Sequence, residues 1–492
     1  MAMIGTFLDR VITEFSPSRG VQRLRARNQA KVLMNYDAAT KGRRAAGWKR
    51  SGTDADAAAY GSREAIRNLA RDFVRNRPYA ARYVDVVATN VVGTGIQFSV
   101  RHPDLGLASQ IDAVLQQHLG TTDIDARGEC DLAQMQRIVF RGVVVDGEIL
   151  VRRRMRVGTY GRNLKLGFQV EVIEADHLNT AVVSWGQNVV IEGVEYGPTG
   201  AVEAYHLFDE HPGSSRLLKS MQSRRVPWQD IIHVRRFDRA AQSRGVSWLA
   251  PMILPMGELA DYQEAQILKQ RMAALVAGVI TTQEDGASGS AGGAAKGLED
   301  LEPGALVTAP PGSSVTFTNP PRVEAYAEFM REGLSSVAMA GGITYESLSG
   351  NLSGVNFSSG RMGRMEMDRN VEAWQEMLMV AQFCRGIERW CREAWPLQSV
   401  MPREVLALDW TAPRRALIDP SKEIDAAITE IDAGLQSRQG VIRLLGRNPD
   451  RVRAERIADA EKDAEAPPIK VRPQKSAVVT VADVEETIEG EN

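Results

Sequence analysis

Three carboxylates, Glu171, Glu174 and Asp176, stand within six residues in the stretch EVIEAD. Clusters of this kind hold the two metal ions of a nuclease, so phosphodiester hydrolysis is the first chemistry to test. The spacing argues against convergence. On a strand, Glu174 and Asp176 share one face and Glu171 takes the other. Glu171 between Val170 and Val172 is also what a half-exposed strand needs. His206 and His211 flank an expected turn but form only a pair, short of a metal-ligand set. Cys384 and Cys391 are seven residues apart, on one face of an expected helix, and read as packing residues. Gly93 and Gly95 in VVGTGIQF lack the third glycine of a dinucleotide loop. The phosphate-loop pattern, the G-x-S-x-G elbow and H-E-x-x-H are all missing. The expectation is a protein that is not an enzyme and takes no cofactor and no metal.

The totals narrow the class. With 492 residues the chain has length for about three domains. Its 60 Lys+Arg and 62 Asp+Glu nearly cancel, unlike a protein that coats nucleic acid. Cys130, Cys384 and Cys391 make no disulfide framework, which suits a reducing compartment. No apolar run approaches the roughly 18 residues of a membrane helix. The opening MAMIGTFLDRVITEF is interrupted by Asp9, Arg10 and Glu14, so no signal peptide is expected.

The elements that must position any site follow from periodicity. Ile4, Phe7, Leu8, Val11, Ile12 and Phe15 make a short amphipathic helix, within a first 50 residues that carry eleven basic and three acidic side chains. Helices are expected over 62–91, near 107–119 and near 130–142. The period then changes to two in EILVRRRMRV, LKLGFQVEVIEA, NVVIEGVEYG, AVEAYHLF and IIHVRRF, which predicts a largely antiparallel sheet with a hairpin turn at YGPTGAV. Helical period returns at 248–276. QEDGASGSAGGAAKGLED is a Gly/Ala/Ser-rich segment, GALVTAPPGSSVTFTNPP a short strand pair, RVEAYAEFMREGLSSVAMAG a helix and GGITYESLSGNLSGVNFSSG a polar loop. A long helix runs from about Arg361 to Trp395, with Val371, Trp374, Leu378, Ala381 and Cys384 in one stripe. A sheet-like piece at 404–412, helices over 421–460 and an acidic, disordered tail complete the chain.

SRGVSWLAPMI, residues 243–253, reads as a shaped joint. Gly245 allows a tight turn, Ser247 can cap a helix, Pro251 suits a first turn, and Trp248 pins the joint by packing. Pro255 kinks the helix or delays its regular start. Arg244 gripping a phosphate is the alternative reading.

Four stretches, RDFVRNRPYAARYVDVVATNVVGTGI, FQVEVIEADHLNT, IIHVRRFDRAAQSRGVSWLAPMI and ITYESLSGNLSGVNFSSGRMGRME, occur here in that order. Together they resemble the lambda-like family of tailed-bacteriophage portal proteins, over about residues 16 to 460. The resemblance implies an α+β portal fold with a helical/β wing, a two-helix stem, a small α/β clip, a long kinked helix and a helical crown. By segment it implies a basic N-terminal arm at 1–60, wing at 61–247, stem helix at 248–277, clip at 278–320 and second stem helix at 321–340. A tunnel loop at 341–360, the long helix and rest of the wing at 361–420, a crown at 421–465 and the acidic tail at 466–492 follow. It also implies a ring of about twelve copies at a capsid vertex of the virion, assembled in the bacterial host cytoplasm. The partners implied are double-stranded DNA in the tunnel, the terminase large subunit, a head–tail connector or adaptor, and the major capsid or scaffold protein, with no membrane. The tunnel residues implied are Asn351, Ser353, Asn356, Ser358 and Ser359; Arg244, Gly245, Ser247, Trp248 and Pro251 would form the wing–stem joint. Another head–tail ring protein, or a nuclease built on Glu171, Glu174 and Asp176, are the alternatives.

Overall fold

The computed structural model describes residues 52–156, 158–161, 163–215, 222–275, 279–282, 313–316, 326–395, 406–414 and 420–465. The basic arm up to residue 51, the Gly/Ala/Ser-rich segment and the acidic tail lie outside the described residues. The chain divides into residues 1–58 and 59–492, and the architecture below belongs to the second unit.

Two consecutive helices begin it: α1, Arg63–Asn76, and α2, Pro78–Val91. Pro78 starts α2 because a first helical residue needs no N–H partner. α1 turns Arg63, Arg67 and Ala70 inward, and α2 buries Ala80, Tyr83, Val84, Val87 and Val91. Strand β1, Gln97–Val100, leads to α3, Leu105–Leu119, whose first turn is capped by Asp104. α4, Leu132–Asp146, begins with a capping box between Asp131 and Gln134 and ends at Gly147, where φ is 91°. Its Met135, Val139, Phe140, Val143 and Val144 enter the main core.

The period-two region forms two antiparallel sheets instead of one. β2 (Glu148–Met155) is central in β3-β2-β9, with β3 at Phe168–Glu174 and β9 at Ile231–Arg235. A 3-10 turn at Ala175–His177 ends β3, and a second sheet follows. It has the order β4-β5-β6-β7-β8, formed by Ser184–Trp185, Asn188–Ile191, Val194–Tyr196, Val202–Phe208 and Ser223–Pro227. The β6–β7 hairpin closes as expected at YGPTGAV, with Gly200 at φ 79°. Leu150, Ile173, Val194, Tyr205 and Leu207 form a smaller core between the sheets.

Helix α5 spans Ile253–Leu275 and α6 spans Tyr326–Ala340. Tyr262 stacks on Tyr326 at 5.8 Å and meets Phe329 at 4.6 Å. Gly333 lies against Leu259, with no room for a Cβ. Between them, β10 (Val279–Thr282) pairs with β11 (Ser313–Thr316), so β11 has its partner at 279–282, ahead of the segment in which a strand pair was expected.

The polar stretch after α6 is more structured than its composition predicts. α7, Tyr345–Ser349, is capped by Thr344, and α8 begins at Phe357 and runs to Trp374. The helix then continues as ten residues of π-helix, Gln375–Cys384, before α9 at Arg385–Ala394. Hydrogen bonds of the i→i+5 type are rare over such a length. Glutamines hold the segment near both ends. Gln375 Nε2 donates to the carbonyls of Val91 (2.9 Å) and Pro413 (3.1 Å). The Gln382 amide accepts from the Arg235 N–H and donates to the Arg235 carbonyl, both at 3.0 Å, which covers the open edge of β9. The α-period stripe therefore fails at Ala381, which is exposed, while Val371, Leu378 and Cys384 are buried.

β12, Leu408–Thr411, returns to pair with β1. Buried Glu388 on α9 ties that return down by accepting from Arg385, Arg392 and the Trp410 indole. α10 (Pro420–Asp432), α11 (Arg438–Leu444) and α12 (Pro449–Glu465) end the described chain. Among the described residues, no helix is long and apolar enough to cross a membrane.

Candidate functional site

The joint at 243–253 is built on Glu148, the first residue of β2. Its carboxylate is fully buried and accepts from Arg244 Nε at 2.8 Å, Arg244 Nη2 at 2.6 Å, the Gly245 N–H at 2.9 Å and His233 Nε2 at 2.8 Å. Burial alone would raise this carboxyl, but the Arg244 charge and the His233 hydrogen bond hold it well below the usual range. Burial, reinforced by Arg235, pushes His233 down to about 4, so the ring is a neutral donor. Arg244 also donates from Nη1 to the Glu192 carbonyl at 2.6 Å and is buried. That removes the phosphate reading: its donors are spent inside the protein.

Gly245 serves a purpose other than the expected tight turn. A Cβ there would stand 2.2 Å from the Gly147 carbonyl oxygen, and one on Gly147 would stand 2.2 Å from the Val246 carbonyl carbon. Two stretches of main chain cross at contact distance, which only glycine permits. Ser247 Oγ accepts from the Leu249 N–H at 3.2 Å, which closes a turn ahead of the helix instead of capping it. Pro251 lies in that turn as well, and it is Pro255 that sits in the first turn of α5. The delayed helix start agrees with the expectation for Pro255.

Trp248 is 2% exposed. Its ring meets Phe140 of α4 edge-on at 5.9 Å and Trp374 of α8 at 5.0 Å, and the Arg236 guanidinium lies 4.7 Å from its centroid. The tryptophan therefore joins α4, the end of α8 and the segment after β9 directly ahead of α5.

Beside the joint, α1 carries a ladder that sequence reasoning missed. Arg63 pairs with Glu192, Arg67 with Asp176 at 2.9 Å, and Arg71 with Asp146 at 2.6 Å and Asp176 at 2.7 Å. The i, i+4, i+8 spacing of the arginines was the available signal; their acceptors are 75 to 129 residues away. The ladder also bears on the nuclease reading. Glu174, Asp176 and His211 have ligand atoms close enough to share an ion. Arg71, however, bonds both carboxylates, at 3.2 Å and 2.7 Å. Glu171 faces away and pairs with Arg154 at 2.6 Å. All three carboxylates pair with arginines, and Glu171 does not converge with the other two.

The polar loop is a different kind of site. Within it, residues 341–344 and 350–356 lie outside the helices. Gly350 and Gly354 have φ of 71° and 82° with open space around them. Asn351 Oδ1 accepts from the Ser353 N–H at 2.9 Å. Asn356 caps α8: its Oδ1 accepts from the Ser359 N–H at 2.8 Å, and Ser359 Oγ accepts from the Asn356 N–H at 3.2 Å. Asn351, Ser353, Asn356, Ser358 and Ser359 are all exposed. Two of the five expected tunnel residues thus make a helix cap, and Ser358 belongs to the first turn of α8.

With this geometry in place, a profile of the lambda family of phage portal proteins matches residues 41–375. The chain belongs to the lambda family of phage portal proteins, and its function is that of a portal protein. It is 25% identical over 429 residues to a probable portal protein of Halomonas phage phiHAP-1, covering 81% of this chain and 80% of that one. Among solved structures it is similar to a chain in the neck of a native gene transfer agent particle computed with C12 symmetry (TM-score 0.43, 12% identity, 78% of this chain and 93% of that chain). It is also similar to an HK97 family phage portal protein from Corynebacterium diphtheriae (TM-score 0.33, 13% identity, 73% and 98%). At TM-scores below 0.5 these two likenesses carry no weight for function.

Proposed function

We propose that this chain is one subunit of a closed ring of about twelve copies at a vertex of a phage capsid, with double-stranded DNA passing through the centre. In this reading the helices and sheets of 61–247, with the return at 406–414, form the wing. α5 and α6 form the stem, 278–320 the clip that meets terminase and later the connector, and α10 to α12 the crown within the head. The loop at 350–359 faces the DNA. The protein acts as a conduit and a docking ring in the virion, without chemistry of its own.

The observation that supports the loop assignment is charge. No charged side chain occurs between Gly350 and Gly360, in a segment whose polar residues are exposed. Each phosphate neutralised by a lysine or arginine adds affinity that salt must release, and such contacts would hold moving DNA. Hydroxyls and amides offer weak, exchangeable contacts. The test is Ser353→Lys with Ser358→Lys, positions that add two positive charges per subunit and leave the Asn356 cap in place. Rings should assemble normally while procapsids package DNA severalfold more slowly, most clearly at low salt. Packaging at the normal rate at low salt would remove the loop from the DNA path.

A further inference from the structure

The last three helices are folded but hardly buried. α10 and α11 contain no buried residue. Ile424, Ile428 and Ile431 nevertheless run along one face of α10 at i, i+4 and i+7. Ile424, Ile428, Leu435, Leu444 and Ile457 leave between 47% and 78% of their surface exposed. Helices of 13, 7 and 17 residues gain little from propensity alone in water and persist when an apolar face is covered.

Charge is segregated between α10 and the stretch from Ala433 to Ile457, beyond which α12 turns acidic again. α10 has one lysine against four carboxylates; Asp425 and Asp432 flank its isoleucines on one side, Glu423 and Glu430 on the other. Between Ala433 and Ile457 the chain has six arginines, among them Arg443, Arg453 and Arg456, against Asp450 and Glu455. Leu444 and Ile457 sit in this basic stretch. An apolar stripe with acidic flanks and a basic stretch that exposes Leu444 and Ile457 are complementary to each other and not to themselves. Packing α10 on a second α10 would set like charges opposite one another, whereas packing α10 on the basic stretch of another copy pairs opposite charges, and in its head-to-tail form that contact propagates around a ring.

We propose that α10 of one copy docks on α11 and the first half of α12 of the next copy, with Ile424 and Ile428 covering Leu444 and Ile457, and carboxylates facing arginines. This rests on the ring reading above and names the surface that closes it.

Two full-length variants test the contact. One reverses the acidic face (Asp425→Lys, Glu430→Lys, Asp432→Lys); the other reverses the basic face (Arg443→Glu, Arg453→Glu, Arg456→Glu). Circular dichroism and melting establish that each folds, and native mass spectrometry reads the ring fraction. Each variant alone should lose rings by about tenfold or more at physiological ionic strength. An equimolar mixture should recover them with the two chains in equal number, because every junction again pairs opposite charges. Rings formed by each variant as by wild type, or no recovery on mixing, would overturn the contact. So would recovery only when both reversals share one chain, since the contact would then lie within a subunit. A wild-type chain that forms no ring overturns the ring reading itself, a separate outcome. Should a reversed chain fail to fold, Ile428→Cys with Leu444→Cys reports instead: oxidation gives a ladder of linked copies if the helices meet between subunits, and monomer alone if they do not.

Discussion

Residues 243–253 and residues 350–359 are both short, glycine-containing connections that lead into long helices, yet the protein holds them in opposite ways. The joint spends its polar groups inward: Arg244 and the Gly245 N–H on Glu148, and Ser247 on the turn that precedes α5. The loop spends its polar groups on its own neighbours, two or three residues away, and turns what remains to solvent. The joint's glycines exist because two main chains cross. The loop's glycines exist because the backbone takes positive φ in open space, where nothing resists a change of conformation. One connection is fixed by contacts made far along the chain; the other is fixed only at its ends. Under the ring reading proposed above, a junction fixed by buried contacts and a neutral, exposed edge would suit a conduit.

The comparison breaks most clearly at Glu148. Glu148→Ala leaves the buried Arg244 guanidinium without its partner and should cost roughly 3–5 kcal/mol of stability. Adding Arg244→Met to that variant should recover a large part of the loss, because the uncompensated charge is gone. Denaturant midpoints of the two variants check this. A single variant that melts like wild type would show that the joint is held by Trp248 packing alone.

The contrast between the two regions also explains what the sequence could disclose. Trp248 and the glycine-serine-proline spacing around it are local signals, so the joint itself was legible. Its key partner Glu148 lies 96 residues from Arg244 and reads as an ordinary strand residue. Likewise Arg63, Arg67 and Arg71 announce a stripe, but nothing local identifies Glu192, Asp176 and Asp146 as its acceptors. β8, SRRVP, escaped because the adjacent Arg224 and Arg225 break the apolar alternation. The π segment has no signal in composition, and a stripe drawn with α periodicity was bound to misplace Ala381. In the polar loop, the caps at Thr344 and Asn356 follow patterns that are readable in principle, Asn with Ser three residues on and Thr with Ser three residues on. The glycine-rich composition around them concealed both.

Acid should act on the buried region and spare the loop. Burial pushes both His233 and His118 from an ordinary 6.5 down to about 4. The fold holds their neutral forms, so the stability they contribute is complete above pH 6.5 and is lost as pH falls from 6.5 towards 4. Each amounts to roughly 3 kcal/mol at about 1.4 kcal/mol per pH unit. Glu148 and Glu195, whose carboxyls are held down by arginines, act in the same direction at lower pH; Glu195 is held to about 2, chiefly by its hydrogen bond from Arg225. Chemical denaturation between pH 7.5 and 4.5 should therefore show a steady fall in stability. His233→Gln keeps an N–H donor for Glu148 without a titrating ring and should reduce that slope by about half. A slope unchanged by the substitution would place the acid sensitivity elsewhere.

The smallest effect separates the two roles that meet at Asn356. As the cap of α8 it satisfies the Ser359 N–H, and Asn356→Ala should cost about 1 kcal/mol. Asn356→Asp keeps an acceptor at the same place and adds a negative charge at a helix N-terminus, which is favourable, so stability should be unchanged or slightly higher. A phosphate passing that edge, in contrast, meets repulsion from the new carboxylate. If Asn356 only caps, the aspartate variant should match wild type in melting and in DNA packaging alike. If the position also faces the moving duplex, packaging should change while melting does not, with the difference shrinking as salt is raised. Melting curves and packaging rates of the alanine and aspartate variants, measured side by side at two salt concentrations, distinguish the cases. A packaging defect in the alanine variant alone, in proportion to its lost stability, would reduce Asn356 to a structural cap.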